Sequence, residues 1–295
     1  MRLIIVSGLS GSGKSVALNV LEDLGFYCID NLPVALVPAL VDELLTRKDT
    51  AYGLVALGLD ARNAPGLVEL PRLIKELRGK GMACELIFLQ ADDDVLLSRF
   101  SETRRKHPLT SKELSLVDAV ASERQLLAEI GDMADLIVDT SATTVYDLRD
   151  LLRNRVGNRK SDSLSILIES FGYKHGLPAD ADFVFDVRCL PNPYWEPTLR
   201  HMCGKDQPVK DFLKRATEVG EMIDDIVGFL ERWIPYYQNF QRPYLTIAIG
   251  CTGGQHRSVY IAEEVARRLS TNGRPVQTRH HELRLPVMRS GGSSG

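Results

Sequence analysis

The chain has 295 residues, enough for two ordinary domains, and its 44% hydrophobic and 25% charged residues imply packed cores rather than a disordered polymer. A formal net charge of -3 excludes a protein coated throughout in nucleic acid and leaves only local basic patches open. Its five cysteines form no C-x-x-C pair, the first residues run straight into a glycine loop, and no apolar run reaches bilayer length, so the chain reads as soluble, cytoplasmic and free of membrane spans.

In chain order, "RLIIVS" reads as a buried strand, followed by the glycine loop and a helix from Lys14 to about Leu24. "FYCID" is a second strand, and residues 34–47 form an amphipathic helix behind Pro33. "GLVALGLD", "CELIFLQ" and "DLIVDT" give three more strands, each separated by helical segments. Such alternation predicts an α/β fold of parallel strands with right-handed crossovers, here of the P-loop NTPase type. The polar stretch "VGNRKSDS" at 156–163 reads as a break. It divides the chain into a nucleotide-binding domain at 1–157, a linker at 158–163, a second mixed α/β domain at 164–289 and a flexible tail at 290–295. The second domain repeats the style with "LSILIESF", "ADFVFDV", a long helix near 208–234, "YLTIAIG", a helix at 257–270 and "VQTRH".

Gly8-Leu9-Ser10-Gly11-Ser12-Gly13-Lys14-Ser15 fits G-x-x-x-x-G-K-[ST] at every fixed position. Glycines let backbone N–H groups turn inward around phosphate, Lys14 supplies charge to the β- and γ-phosphates, and the Ser15 hydroxyl can bind Mg²⁺. A second Mg²⁺-organising group is expected at a neighbouring strand end; Asp60 is the first choice, with Asp30 and Asp139 behind it. Each could equally cap a turn. Arg99, Arg104, Arg105 and Lys106 in "SRFSETRRKHPL" suggest a lid over the phosphates, with Arg104 stabilising the transition state; the plainer reading is a solvated basic helix end.

The strings "VSGLSGSGKSVAL", "LEDLGFYCIDNLP", "DARN" at 60–63, "SETRRKHPL", "ADLIVDTS", "ESFGYKHGLPADADFVFDVRCLPNP" and "AIGCTGGQHRSVYIAE" together resemble the RNase adapter family, RapZ/YvcJ. The resemblance runs from residue 1 to about 281. It implies ATP contact at Gly8 through Ser15, a guanine-nucleotide motif at Asp60, Ala61, Arg62 and Asn63, and slow hydrolysis of ATP and GTP. For the second domain it implies RNA binding and sensing of glucosamine-6-phosphate, with Lys174, His175, Asp186, Cys251, Thr252, Gly253, Gly254, His256 and Arg257 in the pocket. It further implies a homo-oligomer that presents a small regulatory RNA to an RNase E-like endoribonuclease, and a sensor-kinase partner. Two positions depart from enteric members: Tyr194 stands where they carry a histidine, and "RHHELRLPVMRSGGSSG" replaces their basic C-terminal run.

The second loop has its own chemistry. Gly250–Gly254 can fold as an anion nest, Arg257 offers a bidentate fork, and His256 a further donor. Cys251 and Arg257 stand as Cys-x5-Arg, the spacing of cysteine phosphatases, in which the same field stabilises a thiolate. No adjacent stretch resembles an acid-bearing loop, although Asp186 is a candidate, so a binding cradle is favoured over a catalyst or a bare turn. The basic run Arg267, Arg268, Arg274, Arg279 suggests RNA contacts, against a solvated helix and strand edge. No histidine or cysteine spacing matches a zinc site. The alternative functions are a small-molecule or nucleoside-type kinase, and a chain whose second domain is a cysteine phosphatase.

Overall fold

A computed structural model describes residues 1–46, 53–63, 66, 68–103, 105–110, 114–157, 164–240, 242–271 and 275–283. The linker at 158–163, the tail at 290–295, Arg104 and Arg274 lie outside the described residues. The chain divides into two compact units, Met1–Ser163 and Leu164–Gly295.

In the first unit, β1 (Arg2–Gly8), β2 (Tyr27–Asp30), β3 (Leu54–Gly58), β4 (Ala83–Gln90) and β5 (Leu136–Asp139) form one parallel sheet in the order β2-β3-β1-β4-β5. All seven residues of β1 are buried, as expected for a central strand covered on both faces. The helices are α1 (Lys14–Asp23), α2 (Val37–Thr46), α3 (Leu70–Gly79), α4 (Asp93–Thr103), α5 (Leu116–Asp132) and α6 (Val145–Leu152). Leu3, Ile5, Leu57 and Phe88 from the sheet pack with Val41, Ile74 and Leu127 from the helices in one core. Each such fully buried side chain contributes roughly 1.5–3 kcal/mol. The helix expected over 34–47 opens instead with a 3-10 turn, Val34–Leu36. Val156, read from sequence as the start of the polar break, is buried in the helical turn Arg153–Gly157 that extends α6.

The second unit holds β6 (Ser165–Gly172), β7 (Phe183–Asp186), β8 (Tyr244–Cys251) and β9 (Val276–His280), all parallel, in the order β7-β8-β6-β9. The single long helix expected near 208–234 is two: α7 (Gln207–Lys214) and α8 (Thr217–Asn239). The chain breaks at Ala216, which is extended, and the break lets Val209 and Leu213 of α7 and Val219 and Ile223 of α8 reach one core. Helix α8 also continues through Pro235. Helix α9 (Arg257–Ser270) follows β8 and buries Val259, Ile261, Ala262 and Val265. No helix among the described residues is long and apolar enough to cross a membrane.

Candidate functional site

The first loop leaves the carboxyl end of β1, whose neighbours β3 and β4 connect in opposite directions, the switch point at which open α/β sheets bind ligands. Its shape requires glycine. Gly8 has φ 139°, and a Cβ there would lie 2.1 Å from the Leu89 carbonyl oxygen. Gly13, at φ 108°, gives way directly to α1, so the loop sits at that helix's N-terminus. Ser12 Oγ donates to Leu9 O at 2.6 Å, and Lys14 Nζ donates to Gly8 O at 2.6 Å and Leu9 O at 3.1 Å, holding the ammonium inside the turn. Burial pulls the Lys14 ammonium below its ordinary range, against the opposing pull of Glu123 and Asp60. Ser15 is exposed at the head of the helix.

Asp60, just past β3, is 4% exposed, whereas Asp30 is exposed and Asp139 caps a turn by accepting the Ser141 N–H at 2.8 Å. Burial alone would raise the Asp60 carboxyl; hydrogen bonds from the Arg62 side chain and backbone, with the charge of Lys14, outweigh it and hold the group ionised. Arg62 Nε reaches Asp60 Oδ2 at 2.9 Å, and its Nη2 bridges to Asn31 Oδ1. Ala61–Asn63 form a 3-10 turn with Ala61 buried. An ionised strand-end carboxylate beside the loop lysine fits a Mg²⁺ site shared with Ser15, where the metal would neutralise phosphate charge.

The loop is braced from below by residues that the sequence reading did not assign. Ser10 N and Oγ donate to the two oxygens of Glu123 at 2.8 and 2.7 Å, and His107 Nε2 meets Glu123 Oε2 at 3.0 Å. Arg99 belongs to the same frame: its Nη1 donates to Gly11 O at 3.1 Å and to Thr140 Oγ1 at 3.0 Å. Thr140 Oγ1 in turn donates to Ser12 O at 3.0 Å. Arg99, expected in a lid, thus grips the loop's backbone, while Arg105 and Lys106 are exposed. The signal for Glu123 was present: it shares helical spacing with buried Val120, Leu127 and Ile130, so it lies on the apolar face of α5.

In the second unit three strand ends converge. Gly172 of β6 is in register with Cys251 of β8, and Asp186 of β7 with Gly250. The Cys251–Gly254 turn packs so closely that a Cβ on Gly172 would lie 2.8 Å from the Gly253 carbonyl carbon, and one on Gly254 (φ 69°) would lie 2.3 Å from Glu282 Cγ. Cys251 Sγ accepts the Gly254 N–H at 3.2 Å and lies 3.2 Å from Ser258 Oγ. Burial would raise this thiol; the Ser258 and Gly254 hydrogen bonds and the Arg257 charge outweigh it and hold the thiol below its ordinary value.

Arg257 is 4% exposed, with Nη1 donating to Arg188 O at 2.8 Å and Leu190 O at 3.0 Å and Nη2 reaching Thr252 Oγ1 at 3.4 Å. Its buried Nε has no hydrogen-bond partner among the described residues. Asp186 is exposed and forms a bidentate pair with Arg188, whose hydrogen bonds hold the carboxyl below its usual range. Arg188 also stacks 3.9 Å from the Tyr173 ring centroid. Lys174 and His175 follow β6, with Lys174 N donating to Thr252 O at 3.3 Å and His175 paired to Glu282 at 3.3 Å. His256, expected as a donor to the loop, places Nε2 3.3 Å from Leu199 O and is held below its ordinary value by burial.

Beneath this loop, Glu169 of β6 is fully buried, with Oε2 2.9 Å from His281 Nε2. Burial first, and the Glu169 carboxylate next, push nearby Asp180 up to about 7. Of the basic residues expected to contact RNA, Arg267 pairs with Glu264 at 2.8 Å, Arg268 with Asp224, and Arg279 of β9 is partly buried in register with Glu169. No group of three or more histidine, cysteine or acidic side chains suited to a metal occurs among the described residues.

A phosphate loop after the central strand of a five-stranded parallel sheet, with a lysine and a strand-end carboxylate beside it, defines the first unit as a P-loop domain. Residues 1–160 match the RapZ-like N-terminal domain and residues 164–284 the RapZ C-terminal domain. A nucleotide-binding protein of Thioalkalivibrio sulfidiphilus (strain HL-EbGR7) is 54% identical over 287 residues, covering 96% of this chain and 100% of that one. A nucleotide-binding protein of Pseudomonas putida (strain GB-1) is 52% identical over 284 residues, with the same coverage of each. Among solved structures, a gluconokinase from Sinorhizobium meliloti 1021 is similar at 18% identity and TM-score 0.36, covering 51% of this chain and 89% of that one. The chain belongs to the RapZ family.

Proposed function

We propose that this chain is a nucleotide-regulated RNA-binding adapter with two separate anion sites. The first unit binds ATP or GTP with Mg²⁺ and hydrolyses it slowly: Lys14 meets the β- and γ-phosphates, and Ser15 with Asp60 organises the metal. The second unit holds a phosphosugar such as glucosamine-6-phosphate, with its phosphate in the Cys251–Arg257 loop. Loaded in this way, a homo-oligomer in the cytoplasm presents a small regulatory RNA to an RNase E-like endoribonuclease, tunes amino-sugar metabolism and answers to a sensor kinase. The observation that carries the two-site reading is the pair of glycine-built loops, each at the carboxyl edge of its own parallel sheet and each leading into a helix with a basic residue at its head. Membership of the RapZ family supports the RNA role, and the relatives' description as nucleotide-binding proteins supports the first site.

Calorimetry with MgATP, MgGTP, glucosamine-6-phosphate and inorganic phosphate tests the two sites, and crosslinking in cells followed by sequencing tests the RNA. The expected result is nucleotide binding lost in Lys14→Ala, phosphosugar binding lost in Arg257→Ala, and recovery of a small RNA. Absence of RNA above background would sink the adapter role while sparing the nucleotide site. The held-down thiol of Cys251 favours a second reading, a cysteine phosphatase. That reading requires turnover of an aryl phosphate that disappears in Cys251→Ser; none is expected, because Asp186, the candidate general acid, is held ionised by its bidentate pair with Arg188.

A further inference from the structure

We propose that Glu123 and His107 are positioning residues for the first site: the Glu123 carboxylate clamps the phosphate loop in its binding shape and ties it to the chain that follows α4. The inference rests on the nucleotide reading of that site. A carboxylate just beneath an anion-binding loop opposes the ligand electrostatically, so its placement there needs a compensating role. Glu123 is fully buried, as is His107 at 1% exposure. Both oxygens are used: Oε1 accepts Ser10 Oγ–H, while Oε2 accepts Ser10 N–H and His107.

The imidazole's own contacts fix its tautomer. Nδ1 accepts the Leu109 N–H at 3.2 Å, so the proton sits on Nε2, which donates to Glu123. The His107 ring lies 5.1 Å from that of Phe100, and Phe100 Cε2 stands 3.4 Å from where a Cβ on Gly11 would be. One buried acid therefore joins Ser10 of the loop, α5 that carries it, and the Arg105–Lys106–His107 stretch. A loop free to relax at Ser10 would lose the convergence of N–H groups on which phosphate binding depends.

Glutamine can keep two of Glu123's three accepted contacts and reverse the third. Its oxygen would accept from Ser10 N and His107 Nε2, and its amide would donate to a rotated Ser10 hydroxyl. Alanine cannot. Calorimetry with MgATP and MgGTP on the full chain should therefore show Glu123→Ala and His107→Ala weakened about tenfold or more and Glu123→Gln within about threefold of wild type. Ser10→Ala, which removes the Oγ donor and keeps the N–H, should fall between. A role in stability alone would lower the melting temperature of Glu123→Ala yet leave the affinity of the folded fraction unchanged, and that result overturns the proposal. Hydrogen exchange of the Gly11–Ser15 amides, measured without nucleotide, gives a readout independent of binding. Faster exchange in Ser10→Ala and Glu123→Ala than in Glu123→Gln supports the clamp, and equal exchange in all variants refutes it. If the wild-type chain bound no nucleotide, the reading of the site would fail, and the exchange data alone would decide the clamp.

Discussion

On the proposed reading the two loops meet one problem, holding an anion on backbone N–H groups, with opposite kinds of cation. In the first, Lys14 is a point charge on a flexible stem, folded back onto the carbonyls of its own loop. In the second, Arg257 is buried and its Nη1 is pinned by carbonyls of the segment that follows β7. The first arrangement suits a ligand whose charge changes, because the ammonium can follow it and the Asp60 carboxylate stands close enough to act on it. The second suits recognition of one fixed shape. The contrast teaches that the lysine belongs to the ligand, whereas the arginine belongs first to the fold.

The largest effect expected from that contrast is on Lys14→Ala, which should weaken MgATP and MgGTP binding by about 100-fold or more in calorimetry while leaving the melting temperature nearly unchanged. Arg257→Ala should behave differently. It strands the Arg188 and Leu190 carbonyls, so it should cost about 2–4 kcal/mol of stability in denaturant unfolding of the second unit as well as abolishing phosphosugar binding. Arg257→Lys should recover little of either, since an ammonium cannot reproduce the fork. If Arg257→Ala unfolded like wild type, the contrast between the loops would collapse. Next in size, Asp60→Asn should weaken magnesium–nucleotide binding about tenfold and metal-free nucleotide much less, as judged by titration with and without a chelator.

The smallest effect concerns pH. The fold favours protonated Asp180, so its contribution is fully present below the unfolded carboxyl range near 4 and is lost as pH rises through about 7. The second unit should therefore melt at progressively lower temperature from pH 5 to pH 8. Asp180→Asn should remove much of that slope and raise the melting temperature by a few degrees at pH 8. An unchanged slope would mean that burial and the Glu169 carboxylate do not hold Asp180 protonated.

The parts that could be read from sequence are those in which one short stretch carries the whole signal. The apolar runs announced parallel strands because a sheet covered on both faces leaves no polar alternation, and the glycine loop carried its lysine and serine with it. The place of Asp60, just past an apolar strand, was legible for the same reason. Contacts between distant stretches were not. Glu123 meets Ser10 across 113 positions, and Arg257 meets Arg188 across 69. Arg99 read as a lid residue because nothing local reveals that its helix turns it toward Gly11 and Thr140. The break between α7 and α8 was missed because both helices are amphipathic and the extended residue between them is an alanine, with no glycine or proline to mark it.

The close approach of Gly254 to Glu282 also bears on how the molecule can be shortened or extended. The second loop is flanked by Glu282, which lies beyond β9, so part of its wall comes from chain outside the strands of the sheet. A second unit that keeps all four strands of the described residues and loses Glu282 loses one side of that turn. On the proposed reading, the cradle therefore depends on chain beyond the sheet as well as on the strand ends that frame it.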